Sequence, residues 1–163
     1  MIQYKKYYMP GTKEELLKTI DTIDCTYDIL AGGTDLYAKE KTPFNGADAA
    51  IDISGIKEFS VIKLKKEEGL ITFGSNICIQ QFLEEKVLIE NVPILRHAAI
   101  YFADQQIREM ATVGGNVANS SPSGDTIAPL TALEAVIHTI TSKDNKICEK
   151  ETPITEFITG VGK

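Results

Sequence analysis

The fifteen residues Ala111-Thr-Val-Gly-Gly-Asn-Val-Ala-Asn-Ser-Ser-Pro-Ser-Gly-Asp125 limit the possible folds more than any other stretch of this chain. They hold three glycines, four hydroxyl side chains, two amides and one carboxylate. Buried backbone and side-chain polar groups need partners, so such a run is not expected to form a core helix or a buried strand. Adjacent glycines let a chain turn tightly or let a ligand approach bare amides. Asn116, Asn119, Ser120, Ser121 and Ser123 could add a dense set of hydrogen bonds.

On composition alone, a long polar surface loop explains the run equally well. A second glycine pair stands far upstream, in Ala31-Gly-Gly-Thr-Asp35. Two glycine-rich turns in one domain suggest two loops gripping one extended polar ligand, such as a dinucleotide pyrophosphate. The upstream pair follows the strand-like Tyr27–Ala31, and a glycine turn after a strand is an arrangement in which backbone N–H groups cradle an anion. Thr34 and Asp35 could cap a short helical piece after it.

The chain of 163 residues is one ordinary domain, or two small lobes sharing a core. Its 43% hydrophobic content is that of a folded protein. The apolar runs are too short to span a membrane. The start, Met1-Ile-Gln-Tyr-Lys-Lys6, lacks the apolar stretch of a signal peptide, which makes the cytoplasm the expected compartment. Seventeen basic against twenty-three acidic residues give a net charge of −6. Without a compensating basic stripe, a nucleic-acid surface is not expected; Lys39 with Lys41, and Lys63 with Lys65 and Lys66, have glutamates among or beside them. Cys25, Cys78 and Cys148 lack the close spacing of zinc or iron–sulfur ligands and read as free thiols.

Pro10-Gly11 marks a turn, and Thr12 with Glu15 forms a capping box for a helix reaching about Asp24. Ala50–Ile53 reads as a strand, so the opening helix fits a small βαβ lobe. Thr42–Ala47 is expected as a loop. Phe59–Leu64 and Leu70–Gly74 read as a hairpin turning through Lys65–Gly69. Gln80–Glu90 is expected as one helix, and Pro93 opens another with Leu95, Ala98, Ala99 and Phe102 inward. Leu130 and Leu133 suggest a short buried helix capped by Asp125. Ala135–Ile140 is a strand, Ser142–Lys146 a hairpin turn, and Pro153–Phe157 a helical turn. His97 reads as a packed or surface residue, and His138 as lying away from any carboxylate. The terminal Gly160-Val-Gly-Lys163 is not a phosphate loop, since it lacks the four-residue gap and a following helix.

Three segments together resemble the FAD-binding subunit of the molybdenum hydroxylases, the xanthine dehydrogenase and carbon monoxide dehydrogenase flavoprotein family. They are Ile29-Leu-Ala-Gly-Gly-Thr-Asp-Leu36, Gln106-Ile-Arg-Glu-Met-Ala-Thr-Val-Gly-Gly-Asn-Val117 and Asn119-Ser-Ser-Pro-Ser-Gly-Asp125. The resemblance is ordered and spans nearly the whole chain. It implies an α+β fold with a small N-terminal βαβ lobe, residues 1–55, and a larger mixed α+β lobe with antiparallel strands, residues 56–163. FAD is expected between the lobes.

By the same resemblance, Ala31, Gly32, Gly33 and Thr34, with the adjoining Leu30 and Asp35, surround the pyrophosphate through backbone amides. Thr112, Gly115 and Asn116 form the second wall of the flavin cleft, and Ser121 and Asp125 bond the ribityl and ribose side. No catalytic side chain and no metal site are expected. The implied partners are a molybdopterin-binding large subunit and a 2Fe–2S small subunit, with electrons leaving through FAD to NAD+ or another acceptor. The chain departs from the family in three ways. Arg108 is followed by Glu109 where Asn is common, and Ala is usual at Ser123 or Gly124. The family's C-terminal α+β domain is expected to be absent, or supplied by a separate polypeptide. The alternative function is a non-catalytic assembly subunit, or a truncated or degenerate one, that does not bind FAD by itself.

Overall fold

A computed structural model describes residues 4–38, 47–121, 124–143 and 146–160. Lys39, Lys41, most of the expected loop at 42–47, Ser123 and the terminal Val161–Lys163 lie outside those residues.

The N-terminal lobe is a three-stranded parallel sheet in the order β1 (Lys6–Tyr8), β3 (Ala49–Asp52), β2 (Tyr27–Leu30). Its register sets Tyr8 and Ile29 on either side of Ile51. Helix α1 (Lys13–Thr22) connects β1 to β2, the two strands that flank β3. Thr12 caps it by accepting the N–H of Glu15 at 3.1 Å. The reciprocal bond of the capping box slips by one residue, since Glu15 accepts the N–H of Gly11 at 2.8 Å. Leu16, Ile51 and Ile56 form this lobe's core, with Tyr8, Ile20, Ile23 and Phe59 against it. β2 runs into helix α2 (Thr34–Ala38) through the first glycine pair.

The larger lobe starts with an antiparallel hairpin, β4 (Ile62–Lys65) and β5 (Leu70–Phe73). The charged turn between them ends at Gly69, whose left-handed φ of 61° is one that glycine adopts without strain. Phe59 and Ser60 belong to a 3-10 turn, Lys57–Ser60, so the strand begins later than its apolar pattern suggests. The expected helix at 80–90 is two, α3 (Gln81–Glu84) and α4 (Lys86–Asn91). Glu85 between them is extended, and the break lets both Phe82 and Leu88 reach the core.

Helix α5 (Pro93–Tyr101) buries Leu95 and Ala99, with Phe102 buried just beyond its end and Ala98 half-buried. Helices α6 (Gln105–Met110), α7 (Val113–Asn119) and α8 (Ile127–Ala132) follow. The last elements are the hairpin β6 (Val136–Lys143) with β7 (Lys146–Pro153), then α9 (Ile154–Phe157). The main core gathers Ile77, Ile79, Phe82, Leu88, Leu95, Val113, Val117, Leu130 and Ile154, among others.

The β6–β7 hairpin belongs to both lobes. Ile137 packs on the main core, while Ile140, on the opposite face by strand alternation, packs on the small-lobe core. On that second face Ser142 bonds Asp21 and Lys13 pairs with Glu149 at 2.5 Å. The strands continue to Lys143 and Lys146, so Ser142, Lys143 and Lys146 are paired strand residues rather than turn residues. His138 is not far from a carboxylate: Glu151, its cross-strand partner, approaches to 3.4 Å. The sequence could not show that pairing, and both side chains are exposed. Among the described residues no helix is long and apolar enough to cross a membrane.

Candidate cofactor site

The downstream glycine run is not a loop. Val113–Asn119 is helix α7, with Val113 and Val117 buried in the main core. Two neighbours overcome the poor helix propensity of adjacent glycines. Thr112 caps the helix, its Oγ1 accepting the Gly115 N–H at 3.1 Å. Gly114 lies against the backbone of Ser75, where an added Cβ would stand 2.5 Å from the serine Cβ and 2.7 Å from its carbonyl oxygen. Gly114 is thus glycine for close packing, not for turning.

The first-turn amides of α7 already have protein acceptors. Val113 N–H donates to Ile77 O at 2.9 Å, Gly114 N–H to Ser75 O at 2.9 Å, and Asn116 N–H to Thr112 O at 3.0 Å. With Gly115 on Thr112, none of these is left to bind a phosphate, and the picture of two anion-gripping turns reduces to one. What α7 offers is the exposed backbone of Gly115 and the half-buried Asn116.

The upstream run keeps the geometry that close anion approach needs. Gly33 has φ of 71°, in the left-handed region, and α2 begins at the next residue. Leu30 is tied to β3 by the Ile53 N–H on its carbonyl at 2.8 Å. Ala31 to Asp35 are all partly buried.

The two runs meet directly. A Cβ on Gly32 would stand 1.7 Å from the carbonyl oxygen of Met110 and 3.2 Å from the Cα of Ala111. The backbone of the first run therefore lies on the peptide that leads into Thr112. Behind it, Arg108 anchors the segment before α7 by donating to Gln80 Oε1 at 2.9 Å and to the carbonyls of Phe102 and Ala103 at 3.0 Å each.

The segment that carries Ser121 lies beside α7. The Gly124 N–H donates to Ser121 O at 2.9 Å, and a Cβ on Gly124 would stand 3.2 Å from Asn116 Oδ1. Asp125 is exposed and does not cap α8. The N-cap position is Thr126, which makes no side-chain cap bond. Instead its hydroxyl, buried, donates to Asn116 Oδ1 at 2.6 Å and fixes the Asn116 amide. Of the two leucines expected inward from α8, Leu130 is buried and Leu133 is 43% exposed. Met110, Ser75 and Thr126 are site residues that no local pattern marks, because each acts across the fold.

Among the described residues no group of three or more His, Cys, Asp or Glu side chains could hold a metal ion. Cys25, Cys78 and Cys148 are free. One left-handed glycine beside a helix start, facing a capped helix with an exposed glycine and an ordered amide, fits an elongated phosphate-bearing cofactor such as FAD.

The comparisons with known proteins point the same way. Residues 2–163 match the family described as FAD binding domain in molybdopterin dehydrogenase. The nicotinate dehydrogenase FAD-subunit of Eubacterium barkeri is 29% identical over 158 residues, 96% of this chain and 51% of that protein. The putative xanthine dehydrogenase FAD-binding subunit XdhB of Escherichia coli K12 is 31% identical over 135 residues, 83% of this chain and 44% of that protein. Among solved structures, a carbon monoxide dehydrogenase from Hydrogenophaga pseudoflava superposes with a TM-score of 0.87 at 25% identity, over 100% of this chain and 55% of that one. The chain spans about half the length of the curated relatives it matches. It belongs to the family of FAD-binding domains of the molybdopterin dehydrogenases.

Proposed function

We propose that this chain is the FAD-binding, electron-transfer portion of a xanthine dehydrogenase-like molybdenum hydroxylase. In this reading a molybdopterin-binding large subunit oxidises the substrate, a 2Fe–2S small subunit relays electrons, and NAD+ or another acceptor receives them by way of FAD. We divide the chain into a small lobe, 1–55, and a larger lobe, 56–163, with the cofactor between them.

The observation that carries this reading is the contact of Gly32 with the Met110 carbonyl, which brings the two glycine runs together. The roles are those that the family resemblance implies. Leu30, Ala31, Gly32, Gly33, Thr34 and Asp35 receive the pyrophosphate, the amides from Gly32 onward facing its charge. Thr112 and Gly115 form the opposite wall, where the lack of a side chain at Gly115 lets a flat ring approach. Asn116, its Oδ1 held by Thr126, can turn its amide N–H groups toward the ligand. Ser121 and Asp125 bond hydroxyls of the sugar chain. When bound, FAD supplies the redox chemistry, and the protein supplies binding and orientation.

Titration of the purified chain with FAD, followed by flavin fluorescence, tests the reading. One-to-one binding that is lost in Gly33→Val supports it. No binding at tens of micromolar, an affinity of about −6 to −7 kcal/mol, would favour a subunit that does not hold FAD by itself.

A further inference from the structure

Four consecutive residues, Gly74-Ser75-Asn76-Ile77, hold both lobes and α7 at once. Gly74 packs on Phe59, where an added Cβ would stand 2.0 Å from the carbonyl oxygen. Ser75 O accepts the Gly114 N–H and Ile77 O the Val113 N–H, so the segment ties down the start of α7. Asn76 faces the other way: its backbone N–H donates to Phe59 O at 2.8 Å, and its side-chain Nδ2 donates to Ile53 O at 2.6 Å. The Ile53 N–H in turn donates to Leu30 O, at the entry to the first glycine run.

We propose that Asn76 is a positioning residue that sets the spacing between the two walls of the cofactor cleft. One path of hydrogen bonds runs from Leu30 through Ile53 to Asn76, and its neighbour Ser75 continues it to Gly114. The Asn76 side chain is the only link in that path that is not backbone. Its Oδ1 is buried without a partner among the described residues. An apolar residue of similar size would fill the space without that orphan acceptor, so the reason for an amide here is the Nδ2 bond to the small lobe. Losing it frees Ile53, and with it Leu30 and the loop to Thr34, to shift against α7. A cleft that must grip an elongated ligand from both sides loses affinity when its walls shift by even about 1 Å.

The inference rests on the FAD reading, and the test separates the two. Asn76→Leu removes both polar atoms at similar volume, and Asn76→Ala removes them without adding bulk or charge. Each variant and the unaltered chain are titrated with FAD, and amide hydrogen exchange is measured at Ile53 and Gly114. The expected result is a melting temperature within a few degrees of the unaltered chain, FAD affinity at least tenfold weaker, and faster exchange at both amides. If the unaltered chain binds FAD and both folded variants bind it equally well, the inference is overturned. If the unaltered chain binds no FAD, the functional reading fails for the isolated chain and exchange alone decides: acceleration at Ile53 and Gly114 supports the inference, and unchanged exchange overturns it. Should Asn76→Leu fail to fold, Asn76→Ala decides by the same readings.

Discussion

Gly32 and Met110 touch through their backbones, with no room for a methyl group between Gly32 Cα and the Met110 carbonyl oxygen. This one contact joins the loop after a parallel strand to the peptide before a capped helix, 78 residues later in the chain. Backbone atoms cannot rotate away as a flexible side chain can. Gly32→Ala should therefore destabilise the fold by about 1–3 kcal/mol or more, the usual cost of overpacking. Gly114→Ala, blocked by Ser75, should behave alike. Gly55→Ala, with nothing within 4 Å, should stay within about 0.5 kcal/mol. Urea denaturation of the three variants checks this ordering.

Thr126 fixes Asn116 through a 2.6 Å bond between hydroxyl and amide oxygen. The Thr126 N–H reaches the same oxygen at only 3.4 Å. Thr126→Val keeps the shape and removes the hydroxyl, and should cost about 1–3 kcal/mol by leaving a part-buried acceptor poorly satisfied. Thr126→Ser should recover most of the loss. Equilibrium unfolding of the pair distinguishes a hydrogen bond from packing.

Helix α8 ends in a Schellman motif, with Glu134 N–H on Thr131 O and Ala135 N–H on Leu130 O, both at 3.0 Å. The residue that must be left-handed there is Glu134, at φ of 52° and exposed. Glycine takes that conformation without the steric penalty. Glu134→Gly should stabilise the fold by up to about 1 kcal/mol, since the relief of about 1–2 kcal/mol exceeds glycine's greater chain entropy. A rise in melting temperature is the readout.

Asp52 closes β3 and accepts from the Tyr7 hydroxyl at 2.6 Å and the Ser54 N–H at 2.9 Å. Burial pushes its carboxyl up, but the bonds from Ser54 and Tyr7 together outweigh burial and hold it below the usual carboxylate range. A carboxyl lowered in the folded state contributes stability that is present above its unfolded pKa of about 3.9 and is lost as pH falls through the folded value. Tyr7→Phe should therefore be less stable than the unaltered chain at neutral pH, with the gap closing below about pH 4. Denaturation at a series of pH values measures it.

Much of this structure is legible in the sequence wherever local chemistry decides. Thr12 and Glu15 mark the start of α1, Pro93 that of α5, and the charged run before Gly69 the first hairpin turn, although Lys65 is still a strand residue. What escapes the sequence is settled across the fold. β1 is three residues long at a sheet edge, with Lys6 and Tyr7 exposed, and carries no apolar alternation to read. Helix α7 has glycines where helix propensity is poorest, and is held by the Thr112 cap and by the Ser75 and Ile77 carbonyls, which accept its first N–H groups. The same bonds turn an expected pair of ligand loops into one loop and one helix. Asp125 resembles a cap by position, but Thr126 occupies the cap position and bonds Asn116 instead.

The most direct measurement of the site is a map of backbone amide chemical shifts in the labelled chain as FAD is added. Saturable changes centred on Gly32, Gly33 and Thr34 and on Thr112, Gly115 and Asn116, with α5 and the β4–β5 hairpin unmoved, are the expected result. Saturable changes centred on those outer elements, with both glycine runs unmoved, would contradict the placement of the cofactor between them.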